Sequence, residues 1–248
     1  MKSGNPVLKE KVIRDVQDYS LDRSESMTLD GAINNTILLF VILVIAAGIN
    51  WYMLKLPQYN PLAVILTGSG AFVGFIFAIA TTFKPKWAPV TAPIYALLEG
   101  LFLGGISSMF ESAYNGIVLQ AVILTMGTFF FMLFAYKSKI IQATERFKIG
   151  VIAATGGIFF LYLISFILGL FHISVPYIHS SGTFGILFSV FVVVIAALNL
   201  ILDFDLIEQS VARRLPKFME WYGAFALMVT IVWLYIEILQ LLAKLNRR

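Results

Sequence analysis

The 248-residue chain is 59% hydrophobic and only 13% charged, which excludes an ordinary soluble domain, where about a quarter of the residues are charged. Its net charge of +4 comes mainly from basic residues in short loops, so the charge does not indicate nucleic-acid binding. The absence of cysteine excludes disulfides, thiol catalysis and thiolate metal sites.

The chain begins with a polar arm, which we expect to cover residues 1–33. This arm holds five basic and six acidic side chains and has no apolar core of the signal-peptide type. We therefore expect a solvated N-terminal arm rather than a cleaved leader.

Residues 34–248 are predicted to form one integral membrane domain. An apolar segment of about 20 residues can cross a bilayer as a helix, and backbone groups in lipid must be paired within their own segment. Turn residues such as Pro57, Pro61 and the pair Asn115-Gly116 separate the apolar segments. The predicted spans are 34–56, 61–83, 89–110, 116–136, 149–171, 182–207 and 219–243.

Small residues recur along several spans at helix-packing spacing. Glycines spaced in this way let the backbones of two membrane helices approach closely. We expect these positions to serve packing only: Gly70, Gly74, Gly100, Gly104, Gly105, Gly156 and Gly157.

The loops between the spans differ strongly in basic charge. The second, fourth and sixth loops contain nine Lys and Arg residues, whereas the other three contain only Lys55. Because basic loops remain on the cytoplasmic side, the even loops and the N-terminus are predicted to be cytoplasmic. Seven spans place the basic C-terminal "KLNRR" outside, so either the loop bias outweighs the tail or the last segment does not cross completely.

Carboxyl groups inside the spans are the main candidates for function. Glu99 lies mid-span, Asp203 lies in the cytoplasmic third of the sixth span, and sixteen uncharged residues precede Glu237. An acid in the bilayer is costly and is usually retained for a function. No Lys or Arg lies deep in a span, so these acids are predicted to be protonated, hydrated, bound to a cation, or paired through a shared proton.

Helix geometry separates the three acids at the end of the sixth span. Asp203 and Asp205 point about 200° apart, so only one of them can face the helix-bundle interior. Asp205 and Glu208 share a face near the basic sixth loop, and the simpler interpretation is a solvated rim that pairs with Arg213 or Arg214. Asp203 is then the acid predicted to be buried.

The sequence contains no complete catalytic motif of a known enzyme class. His172 and His179, the two histidines, lie in a predicted outer loop and are too few for the usual zinc hydrolase site. "LILDFD" lacks the glycines of intramembrane aspartyl proteases, and no span holds an interior histidine for serine proteolysis. The protein is therefore predicted not to be an enzyme and to need no cofactor.

Long motifs connect the chain to a known family. They are "MTLDGAINNT", "APIYALLEGLFLGGISSMFE", "GIVLQAV", "FKIGVIAATGGI", "NLILDFDLIEQ" and "MEWYGAFALMVTIVWLYIEILQLLAKL", and they run from Met27 to Leu245. With these motifs the chain resembles the Bax inhibitor (transmembrane Bax inhibitor motif) family, in a bacterial branch. The resemblance implies an all-α membrane protein of seven transmembrane helices, with the last helix central and enclosed by the other six.

The resemblance also implies a proton-sensitive calcium leak gated by two acids. Carried over residue by residue, the helix-six acid is Asp203 of "LDFDLI" and the helix-seven acid is Glu237 of "LYIEI". These two residues are the implied pH sensor and transient Ca²⁺ ligands, and Lys84 or Lys86 is the implied basic partner when the pore opens. The helix-seven acid here is Glu, which reaches one methylene further than Asp.

The interval between the two acids is longer here than in calcium-leak members of the family. For Asp203 and Glu237 to lie at the same depth in the membrane, α-helical spans six and seven must form a long hairpin that turns near Glu220. Otherwise a different acid is the partner of Asp203. Asp205, Glu208 and Glu220 remain candidates for that partner, and Glu99 is a further candidate to line the same path.

Two functional hypotheses follow from the sequence. The first is a pH-sensitive calcium or cation leak channel, with calcium and protons as ligands, in a bacterial inner membrane. The second is a non-transporting membrane regulator that binds other membrane proteins, such as a protease or a stress-response complex, through its arm or loops.

Overall fold

The computed structural model describes residues 26–171 and 182–247, and over this part of the chain it is built from seven long helices. All seven are long and apolar enough to cross a membrane, which confirms the predicted all-α membrane fold. Residues 1–25, which form most of the predicted arm, His172, His179 and Arg248 lie outside the described residues. The helices are α1 (Leu29–Lys55), α2 (Asn60–Phe83), α3 (Ala88–Ala113), α4 (Ile117–Lys137), α5 (Glu145–Leu170), α6 (Thr183–Ala212) and α7 (Phe218–Asn246), with a 3₁₀ turn at Pro85–Trp87 before α3.

Local sequence explains where several helices begin. Thr28 caps α1, since its side chain accepts a hydrogen bond from the Gly31 amide, and Thr144 caps α5 in the same way. Gly116 precedes α4 with a φ of 81°, a left-handed conformation that glycine adopts without steric cost. Because of its cap, α1 begins five residues before the predicted span.

The sixth helix continues beyond its predicted end. It runs through Asp205 and Glu208 to Ala212, five residues past the expected boundary at residue 207. Apolar length predicts where a helix leaves the bilayer, whereas a helix can continue into water with its own backbone hydrogen bonds. Asp203 therefore lies nine residues, or about 13 Å, from the end of α6.

The first of two compact units contains α1–α3 together with Asp205–Val229. Glycines on α2 and α3 allow close helix contacts there: a Cβ on Gly104 would collide with the backbone of Ala47, and one on Gly70 would lie 2.6 Å from the Leu98 carbonyl oxygen. These positions confirm the packing prediction. Among residues 26–171 and 182–247, nothing lies within 4 Å of a Cβ built on Gly156 or Gly157, so for this part of the chain the packing prediction for the pair is wrong.

The second unit contains Tyr114–Phe204 and Thr230–Arg248. Its apolar core includes Ile158, Val192 and Ile195, against which Tyr162 and Trp233 pack. Of the described helices, α7 is the most buried, with 67% of its apolar window inside the protein.

Candidate functional site

Two polar contacts fix the register of α6 against α7. The Thr230 hydroxyl donates to Asp203 Oδ2 at 2.5 Å, and the Lys244 ammonium donates to Ser189 Oγ at 2.8 Å. Asp203 and Ser189 are fourteen residues apart on α6, and so are Thr230 and Lys244 on α7. Both contacts therefore belong to one antiparallel register, in which Asp203 lies opposite Thr230.

Glu237 is held by a different set of donors. The Tyr162 hydroxyl on α5 lies 2.9 Å and 3.1 Å from its two carboxyl oxygens, and the Trp233 indole N–H donates to Oε1 at 3.1 Å. Trp233 and Glu237 are four residues apart and so share a face of α7. Asp203 is 1% exposed and Glu237 is 2% exposed, so both predicted acids are buried.

The hairpin between α6 and α7 does not turn near Glu220, which was the condition for Asp203 and Glu237 to lie at equal depth. The turn lies at residues 213–217, and Glu220 is already in the first turn of α7. Thr230 and Glu237 are seven residues, or about 10 Å, apart along the helix axis. Asp203 and Glu237 therefore occupy neighbouring levels of the second unit, and a direct carboxyl pair stays a prediction.

Further polar side chains on α5 and α6 lie near the levels of Asp203 and Glu237. Asn199, one turn before Asp203 on α6, donates to Thr155 Oγ1 on α5 at 2.8 Å. Thr155 precedes Tyr162 by seven residues, so both lie on the same face of α5. We call the whole set the polar column, and its members are Thr155, Tyr162, Ser189, Asn199, Asp203, Thr230, Trp233, Glu237 and Lys244.

The polar column spans much of a membrane thickness. Thr230 and Lys244, its outermost members on α7, are fourteen residues apart, which is about 21 Å along a helix. A bilayer has a hydrocarbon core of about 30 Å. Carboxyl, hydroxyl and amide groups, which can carry protons or contact a hard cation, are thus distributed over about two thirds of that distance.

Glu99 lies in the first unit, in the middle of α3. It is 9% exposed, and its Oε2 would lie 3.5 Å from a Cβ built on Gly74 of α2. Tyr95, one turn earlier on α3, is also buried and stacks edge-to-face on Phe225 with ring centroids 5.1 Å apart. Glu99 is therefore a buried acid whose glycine neighbour leaves room for its carboxyl group.

The two other acids of α6 differ from Asp203. Asp205 is half-buried and accepts a hydrogen bond from Gln209 Nε2 at 2.6 Å, one turn further along the same helix. Glu208 is exposed. Both features suit the rim interpretation of these acids, although their predicted pairing with Arg213 or Arg214 stays a prediction.

Glu220 fastens the start of α1 to the start of α7. Its Oε1 accepts hydrogen bonds from the Thr28 amide at 2.9 Å and from the Thr28 hydroxyl at 2.8 Å. The carboxyl group lies so close to Gly31 that a Cβ there would collide with it. The Met27 amide also donates to the Leu215 carbonyl oxygen at 2.6 Å. Glu220 therefore places its carboxylate at the N-terminus of α1, where a negative charge is favourable.

The predicted basic partners lie at the end of α2. Lys84 and Lys86 are exposed, and the Lys84 ammonium lies 5.5 Å from the centroid of the Trp87 ring. Tyr222 of α7 lies close to this end of α2, with its hydroxyl 3.5 Å from the Thr82 carbonyl oxygen. The gating role of the two lysines stays a prediction.

The described residues hold no group of three or more His, Asp or Glu side chains arranged to bind a metal ion.

Most of the neutral members of the polar column were not predicted from the sequence. Asp203 and Glu237 were predicted, but Tyr162, Thr230 and Trp233, which donate hydrogen bonds to them, were not. A usable signal was present in the seven-residue spacing of Thr230, Glu237 and Lys244, which places them on one face of α7.

Comparison with known proteins identifies the family of the chain. A family model described as "Bax inhibitor 1 like" matches residues 5–247, nearly the whole chain. No curated protein matches the chain.

Proposed function

The chain belongs to the Bax inhibitor 1 like family of membrane proteins, and on this basis we propose that it is a pH-sensitive leak channel for calcium or related cations. We place it in a bacterial inner membrane with its N-terminus in the cytoplasm. The proposal includes no enzymatic reaction. The observation that supports it most is the pair of buried acids in the polar column, Asp203 and Glu237.

Burial inside a membrane helix bundle makes these acids costly unless they are used. A charged carboxylate at the bilayer centre costs a few kcal/mol or more, and a hydrocarbon side chain of similar size at the same position avoids that cost. The column satisfies each acid with hydroxyl or indole donors at 2.5–3.1 Å. Neutral donors of this kind can remain next to a carboxyl group whether or not it carries a proton.

Asp203 is the proposed gate. As a carboxylate it accepts the Thr230 hydroxyl, and this bond joins α6 to α7 at the level of the acid. Once protonated, the acid becomes a hydrogen-bond donor as well and loses its attraction for a cation. Protons and Ca²⁺ therefore compete for the same oxygen atoms, which makes cation passage dependent on pH.

Glu237 is the proposed second contact site for the ion. It lies at the neighbouring level of the column, where Tyr162 and Trp233 orient its carboxyl group. A cation that passes from Glu237 to Asp203 meets oxygen ligands at both levels, and the amide oxygen of Asn199 lies one turn from Asp203. In this proposal Lys84 or Lys86 forms an ion pair with Asp203 when the pore opens.

The experiment is calcium flux into proteoliposomes between pH 6 and pH 8. The unaltered protein is compared with Asp203→Asn and Glu237→Gln, and Asp205→Asn is the matched control because it makes the same chemical change at a half-buried position. We expect flux that varies with pH in the unaltered protein and in the control. The pH dependence should be flattened in both site variants, since neither can exchange its proton.

Two results would contradict this proposal in different ways. If correctly folded protein gives no flux at any pH, the channel hypothesis fails and the non-transporting regulator takes its place. If both site variants keep the flux and the pH dependence of the unaltered protein, the gate lies elsewhere, and Glu99 is then the next acid to replace.

A further inference from the structure

The side chain of Lys244 is tethered across to the beginning of α6. Its ammonium donates to Ser189 Oγ at 2.8 Å and to the Gly185 carbonyl oxygen at 3.2 Å. A lysine in the last turn of a membrane helix commonly extends along the helix to reach the polar interface. Lys244 is instead directed sideways, so its charge has a fixed position at this end of the polar column.

That position is on the same face of α7 as Glu237. The two residues are seven positions apart, which places them two turns apart, and their charges interact electrostatically. Among the described residues, Tyr162 from α5 and Lys244 from α7 itself are titratable groups that interact with Glu237, and Asp203 of α6 lies at the neighbouring level of the polar column. Within the polar column as we define it, Lys244 carries the positive charge.

We propose that Lys244 is a fixed counter-cation for Glu237 and that it lowers the affinity of this acid for a permeating cation. The proposal rests on the proposed function in one respect, namely that Glu237 contacts the ion. A leak pathway needs ions to leave as well as enter, and conduction requires that binding is not too strong. A tethered ammonium achieves this without blocking access to the carboxyl oxygens.

The size of the effect follows from the charges and their separation. A unit charge about 10 Å from a divalent ion, in surroundings with an effective dielectric constant of roughly 40, changes the ion's binding constant by about tenfold. The effect is reduced by salt, since the Debye length is about 10 Å at 0.1 M ionic strength. Removal of the charge should therefore tighten cation binding at Glu237 by about tenfold at low salt.

The test uses Tb³⁺ as a luminescent probe for binding to the full-length protein in detergent. Trp233 sensitises a lanthanide at Glu237, because its indole N–H lies 3.1 Å from Glu237 Oε1. Lys244→Gln removes the charge but keeps a donor for Ser189, and Lys244→Met is a second neutral variant. Lys244→Arg keeps the charge and is the matched control, while Glu237→Gln and Trp233→Phe show whether the signal comes from this site.

For trivalent Tb³⁺ the same Coulomb energy is half as large again as for a divalent ion, so we expect Lys244→Gln and Lys244→Met to bind Tb³⁺ about 60-fold more tightly than the unaltered protein at low salt. The difference should be smaller at high salt. Lys244→Arg should bind like the unaltered protein, and Glu237→Gln should lose the sensitised signal. Unchanged affinity in the neutral variants, an equal change in Lys244→Arg, or no signal that depends on Glu237 would each overturn the inference.

Binding and flux separate this inference from the proposed function. If Tb³⁺ binding follows the charge at position 244 but proteoliposomes show no calcium flux, the counter-cation role stands and the channel fails. If flux is present and depends on Glu237 but the neutral Lys244 variants bind Tb³⁺ with unchanged affinity, the channel stands and the counter-cation role fails.

Discussion

The hydrogen bond between Thr230 and Asp203 can be tested by replacing Thr230 with valine. Valine keeps the β-branched shape of threonine and removes only the hydroxyl group. The bond is 2.5 Å long and its acceptor is 1% exposed, so its loss leaves a buried carboxyl group without this donor. Thr125→Val is the matched control, because Thr125 is also buried but donates to the Ala121 carbonyl oxygen in its own helix.

The expected magnitude comes from two ranges. Hydrogen bonds to charged groups contribute about 1.5–3 kcal/mol in proteins, whereas bonds between membrane helices average about 0.6 kcal/mol with a maximum near 1.7 kcal/mol. Because the bond is short and fully buried, we take the upper end of the membrane range. Thr230→Val should lower the free energy of unfolding by about 1.5 kcal/mol, and Thr125→Val by less than about 0.5 kcal/mol.

A double-mutant cycle measures the contact directly. Unfolding in detergent is followed for Thr230→Val, Asp203→Ala and the double variant, and the coupling energy should be about 1 kcal/mol. The same cycle between Asp203 and Glu237 should give a smaller coupling, since these acids take their hydrogen bonds from different donors. A larger coupling between the two acids than between Asp203 and Thr230 would refute the register derived for α6 and α7.

Two further predictions concern the first unit, and thermal unfolding in detergent measures both. Gly104→Ala should destabilise the protein by about 2 kcal/mol, because the added methyl group collides with backbone of α1. Gly157→Ala, where the methyl group meets no described residue within 4 Å, should be neutral or slightly stabilising. Equal losses in the two variants would contradict the close packing of α1 and α3. Glu220→Gln should lower the free energy of unfolding by about 1–2 kcal/mol, because the carboxylate accepts two hydrogen bonds from Thr28 at the N-terminus of α1. Glu208→Gln, at an exposed position, should change the free energy of unfolding by less than about 0.5 kcal/mol. An equal loss in Glu208→Gln would argue against a specific stabilising role of the hydrogen bonds between Glu220 and Thr28.

The seven spans could be predicted because their cause is local. A segment enters the membrane when its own side chains are apolar enough, and its backbone hydrogen bonds are then formed within the segment. Most observed helices begin and end within a few residues of the predicted bounds. The larger differences lie at the start of α1, which Thr28 caps, and at the end of α6, which continues past its apolar segment.

The burial of Asp203 and Glu237 was also predicted from the sequence alone. Helix periodicity turned Asp203 inward and Asp205 outward, and the long uncharged stretch before Glu237 placed that acid within the last span. In the structure both predicted acids are buried and Asp205 is half-buried. The sequence was sufficient to predict burial here because the direction of a side chain around a helix follows from its position in the chain.

Only the tertiary structure decided what each acid contacts. A threonine hydroxyl in a membrane helix can bond its own backbone, as Thr125 does, or a neighbouring helix, as Thr230 does, and the sequence around the two residues does not distinguish them. The choice depends on the register of α6 against α7, which is set by the turn at residues 213–217 and by side-chain packing along the whole hairpin. The sequence thus determined which acids are buried, while packing between helices determined that Asp203 meets Thr230 and that Glu237 meets Tyr162 and Trp233.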